Sequence, residues 1–485
     1  MLVGQAQVTL AAPQGAAPRS RMADEKPKDK PPTSRLGRLA RLASLAPRSI
    51  PFALEGAKRA FSKTPRTEEE EAAAKERMAA EVKKTAEAML KTLGEMKGLP
   101  LKLGQMASYI DGLAPPGHED KFQAALKKLQ DKAPPLSAES AAQMIQTELG
   151  APPEEVFAKW EREPFAAASI GQVHRAVTKS GERVAVKVQY PGIDKAIEND
   201  LKSISLLETM IKPLSRKLNA TQTLDEIRQV FLAELDYGRE AEMADLFRRL
   251  NTDQPDILIP EVHHSLTTRR VITTSFADGA PYADFCKEGS QEARNRAGEA
   301  IWRFTFRSML RYGALYADPH PGNYRFLPDG RVWFLDFGCV KMLPPDLVND
   351  MKRYMRAALD GDWVEFDRAC IEVLGYDPND ETWDLYRSYT MELMMPLTTK
   401  GTWVCSREKS RETVQFLARG IKSLAFKEGE AIPNIPHVPK MPQDFTFVNR
   451  LQWGLASVMA GLGTEASFRT ISEGWIRDGV HPLPA

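Results

Sequence analysis

Three residues in the second half of the chain have types and spacing suited to holding a metal-bound phosphate. Asp318 and Asn323 stand five positions apart in LYADPHPGNYRF, and Asp336 follows in VWFLDFG. Carboxylate and amide oxygens are hard ligands of the kind that Mg²⁺ prefers. In this arrangement the first aspartate approaches the acceptor or the attacking water, while the asparagine and the second aspartate hold the metal on the phosphates. The spacing therefore predicts a magnesium–nucleotide site with Asn323 and Asp336 as metal ligands.

A fourth candidate, Lys187, ends the β-rich run VAVK. A lysine that points inward from a strand costs free energy unless an anion meets it, so Lys187 is a candidate phosphate ligand. Taken alone this signal is weak, because a lysine at a strand edge is commonly solvated. The lysine strand, the Asp–Asn pair and DFG nevertheless follow one another in the order that kinases use. Jointly they predict binding of ATP and Mg²⁺.

Two features of a conventional kinase are missing around these motifs. The segment before the lysine strand reads PFAAASIGQVHRA, so alanines replace the glycines whose backbone freedom would let amides cradle phosphate. After DFG, only CVKML precedes PPDLVND, which is typical of a helix start. No room remains there for a long activation segment. A conventional protein kinase is therefore the least favoured of the enzyme hypotheses.

The elements that must position these residues form a mixed α+β pattern. VHRAVTKSGERVAVKVQY predicts a β-hairpin about Ser180-Gly181, and DILIPEVHH and RRVITTSF are further strand candidates. A short β patch at 324–337 turns at Asp329-Gly330. Helices are predicted over 67–93, from Ser137 to Gly150 where the glycine ends the helix, and through most of the chain beyond about 281.

The net charge of +1 conceals a basic N-terminal arm. Residues 1–63 carry 12 Lys/Arg against 4 Asp/Glu, and SRLGRLARLASLAP within them predicts a basic amphipathic helix. Such a helix over 35–48 suits peripheral contact with an anionic membrane, or alternatively docking of its leucines onto the body of the protein. Met22 is an alternative start, and no apolar region typical of a secretory signal precedes it.

Other classes of protein are disfavoured by composition. Four isolated cysteines argue against a disulfide scaffold or a zinc site and fit a reducing compartment. No apolar run is long enough for a transmembrane helix, so a cytoplasmic location with possible peripheral membrane contact is predicted. Basic residues interleaved with aromatics are absent from the body, which disfavours nucleic-acid binding. Met391, Met394 and Met395 suit either a lipid pocket or ordinary core filling.

Several motifs together resemble the UbiB/AarF family of atypical, protein-kinase-like proteins, which includes the mitochondrial ADCK proteins. The resemblance runs from about residue 90 to 345, and more loosely to about 470. ADPHPGN and DFG match almost letter for letter. The other matching segments are LKLGQ, with Lys102, Gly104 and Gln105; the alanine-rich AAAS, with Ala166, Ala167, Ala168 and Ser169; and ELDYGREA, with Glu234, Asp236 and Glu240.

The resemblance implies a two-lobed kinase-like fold with an N-terminal helical extension that carries KxGQ and a mainly helical C-lobe. The implied divisions are a disordered basic arm over 1–66, the extension over 67–160, an N-lobe over 161–280 and a C-lobe over 281–485. Lys187 would contact the α- and β-phosphates and pair with Glu240. Lys102, with Gln105 beside it, would fold over the active site towards Glu234 and Asp236. The alanine-rich loop would lie at the nucleotide, and Asp318 would be catalytic.

Family members act as ATPases or small-molecule kinases that support ubiquinone or other isoprenoid-lipid metabolism, so the resemblance implies a small-molecule or lipid ligand, with a quinone precursor among the candidates. A second hypothesis is a pseudokinase-like, lipid-binding scaffold that uses ATP only as a conformational ligand. Intact Asp318, Asn323 and Asp336 argue against the scaffold. The basic arm and the occluding KxGQ helix keep it open.

Overall fold

The fold is described from a computed structural model. The described residues are Ser34, 137–210, 228–229, 232–425, 439, 441–442 and 444–484. The predicted helix over 67–93, the basic segment over 35–48, and Lys102 and Gln105 of KxGQ lie outside these residues.

A five-stranded antiparallel sheet forms the first part of the described fold. Its strands run in the order β1-β3-β4-β6, and β2 pairs with β3 away from this path. The predicted hairpin is confirmed, with Gly181 in the left-handed region at its turn (φ +90°). The strands are β1 (Lys159–Trp160), β2 (Ala166–Ala167), β3 (Gly171–Val177), β4 (Arg183–Gln189) and β6 (Val271–Ser275). Because β1 belongs to this sheet, the last two residues of the predicted helical extension lie within it.

One face of the sheet is covered by helix α1 (Ala138–Leu149), the predicted helix between Ser137 and Gly150. The Ser137 side chain caps its first turn, and Gly150 ends it in the left-handed conformation. Its apolar face, with Met144 and Ile145, belongs to one buried cluster with the valines of β4. The short helix α2 (Pro153–Val156) then leads into β1.

The other face of the sheet meets helix α4 (Tyr237–Leu250), and helix α3 (Ile193–Met210) lies between β4 and α4 in the chain. Buried residues of both helices belong to the large hydrophobic core that continues into the second part of the fold. Strand β5 (Ile257–Leu258) follows α4 and pairs in parallel with a strand close to DFG.

The second part of the fold is mainly helical and, among the described residues, holds three small sheets. The predicted patch at 324–337 forms β8 (Tyr324–Phe326) and β9 (Val332–Phe334), and β9 also pairs with β5. Strand β7 (Ala314–Tyr316) pairs with β10 (Val340–Met342), which places the residues before Asp318 against those after DFG. Far along the chain, β11 (Trp403–Val404) pairs with β12 (Glu465–Ala466).

The helices of this part surround a continuous apolar core. A π-helical turn, Arg303–Arg307, joins α6 to α7 and is buried over 304–307. The helix predicted after the short DFG segment begins at Pro345, which confirms that the connection is brief. The helices are α5 (Tyr282–Glu288), α6 (Gln291–Trp302), α7 (Ser308–Tyr312), α8 (Pro345–Asp360), α9 (Trp363–Leu374), α10 (Trp383–Thr398), α11 (Arg407–Ala425), α12 (Phe445–Leu462) and α13 (Phe468–Arg477).

Among the described residues, no helix combines the length and the apolar character needed to cross a bilayer.

Candidate active site

Lys187 projects from the central strand of the main sheet. In β4 the alternate residues Val184, Val186 and Val188 are buried in the cluster beneath α1. Because successive side chains of a strand point to opposite faces, Lys187 points to the face that meets α4. The alternation of side chains along β4 therefore places Lys187 on the side of the cleft between the two parts of the fold.

The Lys187 ammonium bridges two carboxylates from different elements. Its Nζ donates to both carboxylate oxygens of Glu240, at 2.9 and 3.0 Å, and to Oδ2 of Asp336 at 2.9 Å. The side chains of Lys187 and Glu240 are 16% and 4% exposed, whereas that of Asp336 is 29% exposed. The cluster thus links β4, α4 and the DFG turn, and Asp336 is its most exposed member.

The charges of this cluster do not balance, since one ammonium faces two carboxylates. Burial by itself would lower the pKa of Lys187, but Asp336 and Glu240 outweigh it and hold that pKa well above its usual value. Burial raises the pKa of Glu240 to about 7; Lys187 opposes this rise and Asp336 adds to it. The site therefore carries an excess negative charge that a bound cation would neutralise.

Helix α4 presents Glu240 because its start is fixed by Asp236. The Asp236 carboxylate accepts hydrogen bonds from the backbone N–H groups of Gly238 and Arg239, at 3.0 and 3.2 Å. This cap satisfies amides that the first helical turn leaves without partners. Asp236 therefore sets the position of Glu240 one turn later, and its role in cofactor binding stays a prediction.

The residue after this cap, Tyr237, lies beneath the lysine. Its ring centroid is 4.9 Å from Lys187 Nζ, within the range of a cation–π contact. Tyr237 is fully buried, and its hydroxyl has no hydrogen-bond partner among the described residues. Sequence reasoning missed Tyr237. The available signal was its place between the capping aspartate and Glu240 in DYGRE.

The aromatic residue of DFG anchors the turn that carries Asp336. Phe337 is 2% exposed, and its ring centroid lies 5.5 Å from that of Phe247 in α4 and 5.9 Å from that of Tyr316 in β7. The N–H of Gly338 donates to Oδ1 of Asp336 at 3.0 Å. The aspartate is therefore held by its own turn on one oxygen and by Lys187 on the other.

Asp318 and Asn323 meet in the loop after β7. The Asn323 side-chain Nδ2 donates to the backbone oxygen of Asp318 at 3.0 Å, which leaves Asn323 Oδ1 as the atom able to bind a cation. His320 closes the loop, since its Nδ1 accepts from the N–H of Gly322 at 3.0 Å and its backbone oxygen accepts from Asn323 N. Asp318 is 5% exposed. His320 thus braces the loop that carries Asp318 and Asn323.

The donor set at the cleft fits magnesium. It offers the amide oxygen of Asn323 and the carboxylate of Asp336, both hard oxygen ligands, beside a cluster with an excess negative charge. Clusters of three or more His, Cys, Asp or Glu side chains that would hold a metal by themselves are not found among the described residues. A metal shared with phosphate oxygens needs fewer protein ligands, and this suits the pair that is present.

The alanine-rich loop lies at the edge of the main sheet. Ala166 and Ala167 form β2 opposite Val173 and Gln172 of β3, and Ala168 N donates to the Gly171 oxygen at 2.8 Å. This hydrogen-bonded hairpin replaces a free glycine loop.

At the tip of the alanine-rich loop, the hydroxyl of Ser169 reaches Oε2 of Glu234 at 3.5 Å. Glu234 also lies near DFG, since a Cβ built on Gly338 would stand 3.5 Å from its Cγ.

The predicted site residues thus divide into groups. Lys187, Glu240 and Asp336 contact one another directly; Asp318 and Asn323 are joined through the loop; Ser169 reaches Glu234. Glu234 is 6% exposed, so its side chain is buried and not solvated at the surface of a helix. The predicted partners Lys102 and Gln105 lie outside the described residues.

Comparison with known proteins bears directly on this arrangement. The profile of the ABC1 atypical kinase-like domain matches residues 128–369, which contain every candidate site residue except Lys102 and Gln105. The uncharacterized protein slr0889 of Synechocystis is 33% identical over 57% of this chain and 70% of its own length. The chain belongs to the ABC1 family of atypical kinase-like proteins. The resemblance to UbiB/AarF drawn from the motifs is confirmed.

Other relatives of this ABC1 protein carry more specific names. The mitochondrial atypical kinase COQ8B of Rattus norvegicus is 34% identical over 57% of this chain and 52% of its own length. The mitochondrial atypical kinase COQ8 of Saccharomyces cerevisiae is 33% identical over 54% of this chain and 52% of its own length. The chain thus spans about half the length of these two relatives.

A solved structure supports the kinase-like fold of this ABC1 protein. It is the complex of Rv3197 with erythromycin from Mycobacterium tuberculosis, with a TM-score of 0.58 and 26% identity. The likeness covers 84% of this chain and all of that one. The mixed sheet-and-helix part followed by a helical part, as predicted, is therefore shown for the described residues.

Proposed function

We propose that this protein is an ATP- and Mg²⁺-dependent ATPase or small-molecule kinase of the ABC1/UbiB type. The observation that carries the proposal is the bridge of Lys187 between Glu240 and Asp336, beside Asn323 and Asp318. Phosphoryl transfer gains most from positioning and electrostatic stabilisation, and these residues supply both. Membership of a kinase-like family supports ATP as the nucleotide.

Each residue takes a distinct part in the proposed reaction. Lys187 contacts the phosphates while Glu240 and Tyr237 hold its ammonium in place. Asn323 and Asp336 would hold Mg²⁺, which neutralises charge on the phosphates when bound. Asp318 orients or deprotonates the acceptor hydroxyl or water.

Other residues complete the proposed cleft. Ala166, Ala167, Ala168 and Ser169 border the nucleotide through the β2–β3 hairpin. Lys102 and Gln105 belong to a lid that approaches Glu234. We propose the same division of the chain as the sequence indicates: an arm over 1–66, the lid-bearing extension over 67–160, and lobes over 161–280 and 281–485.

The acceptor and the pathway belong to the same proposal. Relatives named for COQ8 support a role in ubiquinone or another isoprenoid-lipid pathway, with a small-molecule or lipid ligand such as a quinone precursor. Peripheral membrane contact would come through residues 35–48. Relatives are named as mitochondrial or chloroplastic, so a cytoplasmic location for this protein stays a prediction.

Thermal stability with Mg²⁺ and ATP or ADP tests the nucleotide site. We expect Mg²⁺–nucleotide to raise the melting temperature of the wild type and to have little effect on Asp336→Asn. The matched control is Asp346→Asn, an exposed aspartate at the start of α8, which should respond as the wild type does. Equal stabilisation of wild type and Asp336→Asn would remove the proposal.

Hydrolysis of ATP separates an enzyme from a nucleotide-binding scaffold. Turnover by the wild type should be lost in Asp318→Asn while nucleotide still raises the melting temperature of that variant. Binding with wild-type turnover at background would favour the scaffold instead. Comparing turnover with and without anionic liposomes and quinone-precursor mimics addresses the acceptor.

A further inference from the structure

An apolar cavity lies in the helical part of the fold, away from the candidate active site. Helices α10, α11 and α12 form most of its wall, and Trp302 of α6 completes it. The cavity volume is about 120 Å³, and none of its lining residues belongs to the nucleotide cleft.

Aromatic rings with fixed positions line this cavity. Trp302 Nε1 donates to Ser472 Oγ at 2.8 Å, and Trp453 Nε1 donates to the Tyr389 hydroxyl. Because these N–H groups are already used, what the two indoles offer to a ligand is apolar surface. The cavity is also lined by Met394, one of the methionines singled out in the sequence. Flexible thioethers beside rigid rings suit an apolar guest of irregular shape.

One acceptor in this wall is buried without a donor. Gln452 lines the cavity, and its Oε1 has no hydrogen-bond partner among the described residues. A buried acceptor without a partner is unfavourable, because folding removes it from water without replacing the hydrogen bonds that it made there. A guest with a hydroxyl or N–H group would supply the missing hydrogen bond.

The charges at the cavity are balanced. Glu392 and Lys409 are the charged residues of its lining, and both are exposed. Lys409 is held by the protein itself, since its Nζ lies 4.0 Å from the Trp403 ring centroid and donates to the Val404 oxygen at 3.3 Å. This wall therefore selects for an uncharged guest.

We propose that this cavity binds an uncharged apolar small molecule that carries one hydroxyl or N–H donor, at a site separate from the nucleotide. The apolar body fills the space between the rings, and the donor meets Gln452 Oε1. The site does not depend on the proposed phosphoryl transfer, because it shares no residue with the cleft.

The test uses N-phenyl-1-naphthylamine, an apolar amine whose fluorescence rises in apolar surroundings. With the full chain we expect saturable binding at one probe per chain, excited in part by energy transfer from the lining tryptophans. Saturating Mg²⁺–ADP should leave this binding unchanged. Absence of saturable binding, or displacement of the probe by the nucleotide, would overturn the proposal.

Two tryptophan substitutions locate the probe. Ala456→Trp places a large side chain at the lining of the cavity and should weaken probe binding at least about tenfold. Ala418→Trp, at an alanine that is likewise exposed in a helix but does not line the cavity, should bind as the wild type does. Equal affinities in the two variants would contradict the assignment.

A third variant, Gln452→Leu, tests the proposal even if Ala456→Trp does not fold. The measurement compares displacement of the probe by n-decanol with displacement by its methyl ether, which lacks the donor. One hydrogen bond of about 0.5–1.5 kcal/mol gives the alcohol an advantage of about two- to tenfold in the wild type. Gln452→Leu should reduce that advantage. Equal displacement by alcohol and ether in the wild type would refute the role of Gln452.

Discussion

The excess negative charge around Lys187 predicts how the stability of the protein depends on pH. Glu240 is buried beside both Lys187 and Asp336, and its pKa rises from an ordinary 4.5 to about 7, chiefly through burial. A folded pKa above the unfolded one means that the fold favours the protonated carboxyl. The resulting stabilisation is fully present below pH 4.5 and is lost as the pH rises through about 7.

The magnitude follows from the size of the shift. Each pKa unit corresponds to about 1.4 kcal/mol, so moving from pH 5 to pH 8 removes about 2–3 kcal/mol of stabilisation at this one residue. Glu240→Gln keeps the side-chain shape but does not titrate. The free energy of unfolding of the variant should therefore fall by about 2–3 kcal/mol less than that of the wild type over the same pH interval.

Urea unfolding at pH 5 and pH 8, without nucleotide or Mg²⁺, measures this difference. Glu242→Gln is the control, because Glu242 lies on the same helix but is exposed, and its free energy of unfolding should follow that of the wild type. If the wild type and Glu240→Gln lose equal stability between the two pH values, Glu240 is not the group that titrates and the reasoning from buried charge fails.

Three further predictions concern packing around the cleft and the chain's end. Gly171→Ala should lower the free energy of unfolding by about 1–3 kcal/mol, because its Cβ would lie 2.4 Å from the Val188 oxygen. The control is Gly474→Ala, which has open space around it and should raise the free energy of urea unfolding by up to about 1 kcal/mol. Phe337→Ala should lower the free energy of unfolding by about 3–5 kcal/mol. The same variant should show no nucleotide-induced rise in melting temperature. Lys352→Met should speed proteolysis near the C-terminus, since this buried lysine donates to two carbonyls there; unchanged cleavage would contradict that role.

Local signals accounted for the parts of this protein that the sequence predicted well. The hairpin around Ser180-Gly181 follows from alternation and a turn glycine, and α1 follows from Ser137 and Gly150 at its ends. The spacing of Asp318, Asn323 and Asp336 within one loop and hairpin is likewise a local signal, and the roles that it assigns to them stay predictions. In each case the information lies within a few adjacent residues.

What escaped prediction depends on residues that meet only in the folded chain. The burial of Glu234 arises from the DFG turn and the alanine-rich loop, neither of which adjoins it in sequence. The contact of Tyr237 with Lys187 joins residues fifty positions apart, and the hydrophobic periodicity of the sequence does not indicate it. The cavity requires three helices at once, so the methionines alone left its existence undecided.

The position of α1 has a practical consequence for anyone who shortens this chain. The valines of β4 and Val271 of β6 are buried beneath that helix in a cluster separate from the main core. A fragment that begins at the alanine-rich loop would retain every described catalytic candidate yet expose this apolar sheet face to water. Such a fragment should aggregate rather than report on catalysis, and a minimal soluble domain must begin at or before Ser137.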